Sequence, residues 1–331
     1  MRLLILGGGR FVGRAVLTEA LNRGWQVTTF SRGGTDHVAP GADARRGDRL
    51  NPEDLAVLRA GRWDVAVDTW AGAPRAVRDS TQTLADSVDH YVYISSRSVY
   101  RAPLRDGATE DDAVVASSAD AEGGTYGECK AGGELAATAV FGDRALLLRA
   151  GLILGPNEYV PRLTWWLQRV ARSGQVLAPG PRDLPLQYVD ARDLAEWALD
   201  SAAARRGGPF NVVSRSGHTT MGDLLESCVR VTSSGATLCW ADPEAILGAG
   251  IEPWNELPIW VPPGHPHRSQ HTTDSSRALA AGLRCRPAEV TVADTWAWLG
   301  AGGSVEGSES RPETRLDPAK ERAVLDACLG T

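Results

Sequence analysis

Tyr126 and Lys130 stand four residues apart in the stretch Tyr126-Gly127-Glu128-Cys129-Lys130. On a helix that spacing puts both side chains on one face. An ammonium near a phenol lowers the phenol pKa, and the hydroxyl can then exchange a proton with a carbinol or carbonyl. Upstream, Tyr91-Val92-Tyr93-Ile94-Ser95-Ser96 runs into Arg97-Ser98-Val99-Tyr100. A serine at the end of such a strand can hold the same substrate oxygen. Together these residues suit acid–base chemistry coupled to hydride transfer with a nicotinamide. By itself a Tyr-x3-Lys pair carries little information; its weight comes from what precedes it.

The chain begins MRLLILGGGRFVGRAV. An apolar run stops at Gly7-Gly8-Gly9, and helical spacing resumes at Phe11 and Val12. Gly7, Gly9 and Gly13 would let backbone amides approach a pyrophosphate at a helix N-terminus. An ordinary turn also wants glycine, but this loop follows a strand and opens a helix. The second strand bears on the cofactor. An NAD site wants an acid near its end, on the ribose 2′-hydroxyl. This chain has Phe30-Ser31-Arg32-Gly33, and the first acid, Asp36, comes later. Ser31 and Arg32 fit a 2′-phosphate, and Arg10 projects from the loop toward the same edge. Two guanidiniums around one phosphate make charge-assisted bonds. The expected cofactor is therefore NADP(H), with NAD the alternative; the competing view is that both arginines are merely solvated. Asp48 in Gly47-Asp48-Arg49 is a candidate adenine contact or a turn residue.

The elements that must position these groups can be read from hydrophobic periodicity. Strands are expected at Arg2–Leu6, Trp25–Phe30, Ala42–Arg45, Asp64–Asp68, His90–Ser95 and Ala145–Ala150. Helices are expected at Phe11–Arg23, Pro52–Leu58, Pro74–Val88 and Tyr126–Val140. Apolar strands alternating with helices imply a parallel sheet covered on both faces. The fold class is thus α/β, a Rossmann-type doubly wound parallel sheet with a smaller C-terminal substrate-binding lobe. Ligands bind beyond the carboxyl ends of the strands in such sheets. Those ends form one rim: Gly7–Arg10, Ser31-Arg32, Thr69-Trp70-Ala71, Ser95-Ser96 and Gly151. Further on, Pro161–Ser173 reads as a helix, Leu186–Val189 as a strand and Ala191–Ala203 as a helix. The expected organisation is a dinucleotide-binding domain over residues 1–155, to which 186–215 return. Residues 156–185 and 216–300 form the substrate lobe. Residues 301–331 form a linker and a terminal helix, with Gly300–Glu309 flexible and Pro318–Leu329 docked by Ala323, Leu325 and Leu329.

Composition bounds the function classes. With 331 residues, 43% hydrophobic and 23% charged, the chain has enough for a sizeable core. A net charge of −6 argues against a nucleic-acid partner. The five cysteines form no metal-ligand spacing and suit a reducing compartment, so a cytoplasmic location is expected. Leu3–Leu6 is too short for a membrane span. His265, His267 and His271 match no metal site, and none is expected. A small-molecule substrate and a monomer or homodimer complete the expectation.

Gly7–Gly13, Ser96, Tyr126, Lys130 and Arg149–Pro156 (RAGLILGP) together resemble the short-chain dehydrogenase/reductase superfamily, in its extended epimerase/dehydratase-like branch. The resemblance covers about residues 1–215. GGGRFVG departs from that branch's GxxGxxG at the middle glycine and is similar to the GGTRFxG loop of atypical members. Those include plant chloroplast proteins that bind RNA and have lost the catalytic residues; this chain keeps Tyr126 and Lys130. The resemblance implies that Ser96 orients substrate, with Ser95 the alternative, that Tyr126 is the acid/base and that Lys130 bonds the nicotinamide ribose. It implies that Phe11, Val12, Thr69, Trp70, Ala71, Ala150 and Gly151 flank the cofactor. Sugar-nucleotide members often carry an arginine where this chain has Leu184, although Arg162 and Arg182 lie nearby. Trp254 and Trp260, in EPWNELPIWVPP, could wall a pocket for a cyclic or apolar substrate; Tyr159 and Arg162 are further candidates. The expected activity is an NADP(H)-dependent carbonyl reductase or alcohol dehydrogenase. The alternative is an epimerase or dehydratase on a sugar-like substrate, although Arg97 and Ser98 do not supply the acidic pair many dehydratases carry. A second alternative is a non-catalytic cofactor-sensing or RNA-binding protein.

Overall fold

A computed structural model describes residues 1–33, 40–304 and 316–329. Asp36 and residues 305–309 of the expected linker lie outside them. Among the described residues, seven strands form one parallel sheet. They are β1 (Arg2–Leu6), β2 (Gln26–Ser31), β3 (Ala42–Arg46), β4 (Trp63–Asp68), β5 (Val88–Ser96), β6 (Ala145–Ala150) and, late in the chain, Gly208–Val212. Their order is Gly208–Val212, β6, β5, β4, β1, β2, β3, and every pairing is parallel. Order reverses beside β1, which opens a crevice above its carboxyl end.

Strand side chains alternate between faces. Leu3, Ile5, Val65 and Val67 pack with Val16 and Leu17 of α1 (Phe11–Asn22) on one side. Leu4, Leu6 and Ala66 meet Val77 and Leu84 of a helix on the other. Both faces are therefore dry, and the strands read as unbroken apolar runs. After β3 come α2 (Pro52–Ala56) and α3 (Pro74–Leu84); α4 (Tyr126–Phe141) lies beside α3.

Element ends shift by a residue or two throughout, and three expectations differ further. The Pro74–Val88 helix stops at Leu84, because Val88 pairs with Trp63 and begins β5; Leu84 and Val88 keep helical spacing across the turn and disguise it. The single strand expected at Leu186–Val189 is two. After β7 (Leu152–Leu154), α5 (Leu163–Ala171) and β8 (Gln175–Pro179), β9 (Pro185–Leu186) pairs antiparallel with Thr219–Thr220. β10 (Tyr188–Asp190) instead pairs with β7. Gln187 separates them, its N–H donating to His271 Nδ1 at 3.0 Å. The third concerns the terminal helix Pro318–Leu329: it docks through Leu316 and Val324, with Leu325 and Cys328 partly buried, while Ala323 is exposed. The side chain of Leu329 lies outside the description. Glu321 accepts from Arg169 Nε at 2.9 Å and ties this helix to α5.

The second half of the chain has its own core, with Trp166 and Trp260 wholly buried among leucines and Met221. No helix among the described residues is long and apolar enough to cross a membrane.

Candidate functional site

The glycine loop is shaped for close approach. Gly7 has φ +118°, and a Cβ there would meet Thr69 Oγ1 at 2.3 Å. A Cβ on Gly13 would fall 2.7 Å from the Gly8 backbone nitrogen, so α1 starts directly against the loop. Arg10 is the N-cap residue of α1, and its side chain makes no cap bond. The first-turn amides are thus left to a ligand. Phe11 begins the helix with φ +29°, a strained conformation held by its buried ring, which meets Tyr159 edge-on at 6.1 Å.

Two cavities run along the rim. The first, of about 350 Å³, is lined by Gly7–Arg10, Ser31, Arg32, Asp48, Arg49 and Thr69–Ala71. The second, of about 650 Å³, is lined by Arg10–Gly13, Ser95–Ser98, Tyr126, Lys130, Ala150, Gly151, Glu158, Tyr159, Arg162, Trp254 and Gln270, among others. Arg10, Thr69 and Ala71 belong to both, so the two make one crevice with Arg10 at the junction. Asp48 accepts from Leu50 N–H at 3.0 Å, as a turn residue does, and still lines the first cavity.

Beneath that cavity Arg49 donates twice to Asp68, at 2.6 and 2.8 Å, and once to Ser80 Oγ. Burial opposes the charge on Asp68, but Arg49, Tyr91 and the Trp70 N–H hold its carboxyl below the usual range. The Arg49 guanidinium lies 5.0 Å from the Trp70 ring centroid. This pair fixes the β4 end that carries Thr69–Ala71.

Ser96 and Tyr126 are brought together on the wall of the larger cavity, close enough for the Ser96 hydroxyl to pull the Tyr126 phenol down. The Ser96 hydroxyl itself donates to Ser98 Oγ at 3.2 Å and accepts from the Ser98 N–H at 3.1 Å. Local sequence accounts for the meeting. Thr125 and Glu128 form a capping box, Glu128 accepting from Thr125 N–H at 2.7 Å, so α4 begins at Tyr126. A Cβ on Gly127 would lie 2.2 Å from the Ser98 carbonyl oxygen, so α4 presses on the turn that follows Ser96. Deeper along α4, Glu134 accepts from Arg149 of β6 at 2.8 Å and from Ser95 Oγ at 2.6 Å. Ser95 thereby spends its hydroxyl inside, and of the two serines it is Ser96 that acts on the Tyr126 phenol.

Lys130 is buried and donates to the Trp70 and Ile94 carbonyls at 2.5 and 2.6 Å. Burial lowers its pKa to about 8, with Asp68 opposing. Its nitrogen is 6.0 Å from the Tyr126 ring centroid. The Tyr126 ring stands half exposed at the mouth. Enclosure of its hydroxyl end pushes the phenol up, while Ser96 and Arg162 pull it down. Burial outweighs both, so the phenol stands above its ordinary value, where the sequence led us to expect a lowered one.

Trp254 lines the cavity, with Arg162 4.4 Å from its ring centroid. Trp260 does not. It is wholly buried, and its Nε1 donates to the Gly180 carbonyl at 2.9 Å, making it core. Arg182 faces away from the crevice and pairs with Glu226. His271 is buried between the Gln187 N–H and the Ile259 carbonyl. Two polar residues lining the larger cavity escaped the sequence reading. Glu158 precedes α5 and accepts from three of its backbone amides, at 2.9, 3.4 and 3.3 Å. Burial pushes its carboxyl up to about 8 against those amides; an acid just before a helix was the available signal. Gln270 sits in the run scanned for metal ligands, and nothing local marks it.

No family model and no curated protein matches the chain in sequence. Its fold is that of known structures. A Burkholderia cenocepacia protein provisionally assigned as an epimerase superposes with a TM-score of 0.68 at 18% identity, covering 91% of this chain and 98% of that one. UDP-N-acetylglucosamine 4-epimerase from Bacillus cereus gives 0.65 at 16% identity, over 90% and 98%. Thermus thermophilus UDP-glucose 4-epimerase, determined with NAD, gives 0.63 at 19% identity, over 90% and 99%. The Rossmann-type reading of the sheet holds.

Proposed function

We propose that this chain is a nicotinamide-dependent enzyme of the epimerase type, which oxidises a substrate carbinol transiently and reduces it again. The observation that carries the proposal is the placement of Ser96 and Tyr126 side by side on the wall of the larger cavity, with Lys130 buried behind them. A bound nicotinamide supplies hydride exchange with the carbinol carbon. Tyr126 takes the carbinol proton and returns it, while Ser96 holds the same oxygen. Lys130 ties the chain just after β4 to β5 through the Trp70 and Ile94 carbonyls and contributes positive charge on the phenol's side of the cavity. Gly7, Gly9 and Gly13 admit the pyrophosphate, and Thr69–Ala71 with Ala150 and Gly151 flank the cofactor. The similarity of fold to sugar-nucleotide 4-epimerases, one of them bound to NAD, supports epimerisation over the reductase reading.

One observation favours that second reading, net reduction by NADPH: Arg10, Ser31 and Arg32 all line the cavity at the adenosine end, where a 2′-phosphate would take charge-assisted bonds. A single comparison separates the two. The protein is incubated with UDP-glucose and UDP-N-acetylglucosamine under catalytic cofactor, and with a ketone panel under NADPH. C4-epimeric product without net change at 340 nm supports the epimerase. Stoichiometric NADPH loss with a ketone, and no epimer, contradicts it in favour of the reductase.

A further inference from the structure

The larger cavity holds a positive charge that the proposed chemistry does not use. Arg97 directly follows Ser96 and is 6% exposed. Its Nη atoms donate to four acceptors: Thr273 Oγ1 at 2.5 Å, Gln270 Oε1 at 2.6 Å, the Ser269 carbonyl at 3.2 Å and Gln187 Oε1 at 3.4 Å. All four are neutral, and among the described residues no carboxylate forms an ion pair with it. Its Nε is buried with no partner. That atom lies just behind the cavity wall, where a Cβ on Gly151 would be 3.4 Å away. An arginine stays protonated throughout the physiological range, and a buried cation without a counter-ion is costly. The neighbouring His271 adds no charge, its ring lying between the Gln187 N–H and the Ile259 carbonyl.

Gln270 transmits this charge to the cavity. It lines the wall, and its Oε1 is taken by Arg97, so its amide N–H groups are the donors left to face a ligand. Arg162, over Trp254, adds charge of the same sign. Glu158 is the opposing acid on the wall, but its oxygens are turned into the three amides that open α5. The cofactor's phosphates belong with the glycine loop and Arg10, at the other end. An anion drawn to this corner therefore belongs to the substrate.

We infer that the substrate carries an oxyanion, a carboxylate or a phosphate, received by Gln270 and the Arg97 charge behind it. Gln270 is the binding residue and Arg97 positions it. The inference rests on the reading of the crevice as a cofactor-plus-substrate site, and its test keeps the two apart.

The test is thermal denaturation of the NADP+-saturated protein, in acetate or in inorganic phosphate, with ionic strength held constant by chloride. Saturation is verified separately by tryptophan quenching, so a protein that fails to bind cofactor sinks the proposed function at that step. The anion series is then run on the cofactor-free protein. The decisive variant is Gln270→Glu, which supplies the missing counter-charge with almost no change in shape. At ten times Kd the favoured anion raises the unmodified protein's Tm by about 2 °C. Gln270→Glu abolishes that rise while cofactor affinity is unchanged. Acetate alone acting identifies a carboxylate, and phosphate alone a phosphate. No anion effect beyond chloride, or one that persists in Gln270→Glu, overturns the inference.

Discussion

Replacing Tyr126 by Phe removes one oxygen from the cavity and leaves the ring that closes its mouth. If that oxygen moves the substrate proton, kcat falls by about 10²–10⁴-fold, with cofactor affinity and Tm retained; Ser96→Ala costs less. Near-full turnover by Tyr126→Phe would contradict the assignment. The two tryptophans divide differently from the reading of their shared loop. Trp260→Ala empties a fully buried site and should destabilise by about 3–5 kcal/mol, read in urea denaturation. Trp254→Ala should raise KM and leave stability nearly unchanged. The proline-rich sequence suggested that both wall the substrate pocket. What local sequence cannot show is that Trp260 finds a carbonyl, that of Gly180, far along the chain. Ser96, Tyr126 and Lys130 were legible because strand end and helix face lie in short stretches; Arg97 and Gln270 were not, because tertiary contact alone joins them.

Among the elements, α4 does most to bring the site together. Its start is written locally, in the capping box of Thr125 and Glu128. Its depth is set by Gly127, whose missing side chain lets it press on the Ser96–Val99 turn. Gly127→Ala would drive a methyl into the Ser98 carbonyl, at a cost of about 1–3 kcal/mol for overpacking. The expected outcome is a lower Tm and a loss of kcat larger than the loss of cofactor affinity. An unaltered kcat would show that the approach of α4 to Ser96 is not critical. Strand and helix identities along the sheet were legible from apolar runs between glycine and proline breaks. The misplaced boundaries share one cause: the end of α3 and the break at Gln187 are decided by long-range pairing, with Trp63 and with His271.

At the scale of the whole molecule, a buried histidine contributes to the acid limit, alongside the carboxyls of Asp68 and Asp190, which their partners hold below the usual range. Burial lowers the His271 pKa to about 4, against about 6.5 when unfolded. The unfolded chain thus binds more protons between those values, and stability falls as pH drops from about 6.5 through 4, by at most about 3 kcal/mol. Glu158, raised to about 8, acts in the opposite sense: its contribution is lost as pH rises from about 4.5 through 8. His271→Gln should flatten the acid limb of a stability profile measured by urea denaturation between pH 4 and 7. An unchanged acid limb would mean that other groups set it.

The central claim is that the crevice over β1 binds a nicotinamide dinucleotide, with its adenosine end between Arg10 and Arg32. Calorimetric titration of the unmodified protein and of the Arg10→Ala/Arg32→Ala variant, with NADP+ and NAD+, tests it most directly. Charge-assisted phosphate bonds of about 1.5–3 kcal/mol each correspond to one to two orders of magnitude in affinity per arginine. The account predicts one cofactor per chain, NADP+ bound more tightly than NAD+, and that preference lost in the variant. Equal affinities in the unmodified protein would contradict the assignment of the arginines, and binding of neither cofactor would contradict the whole account.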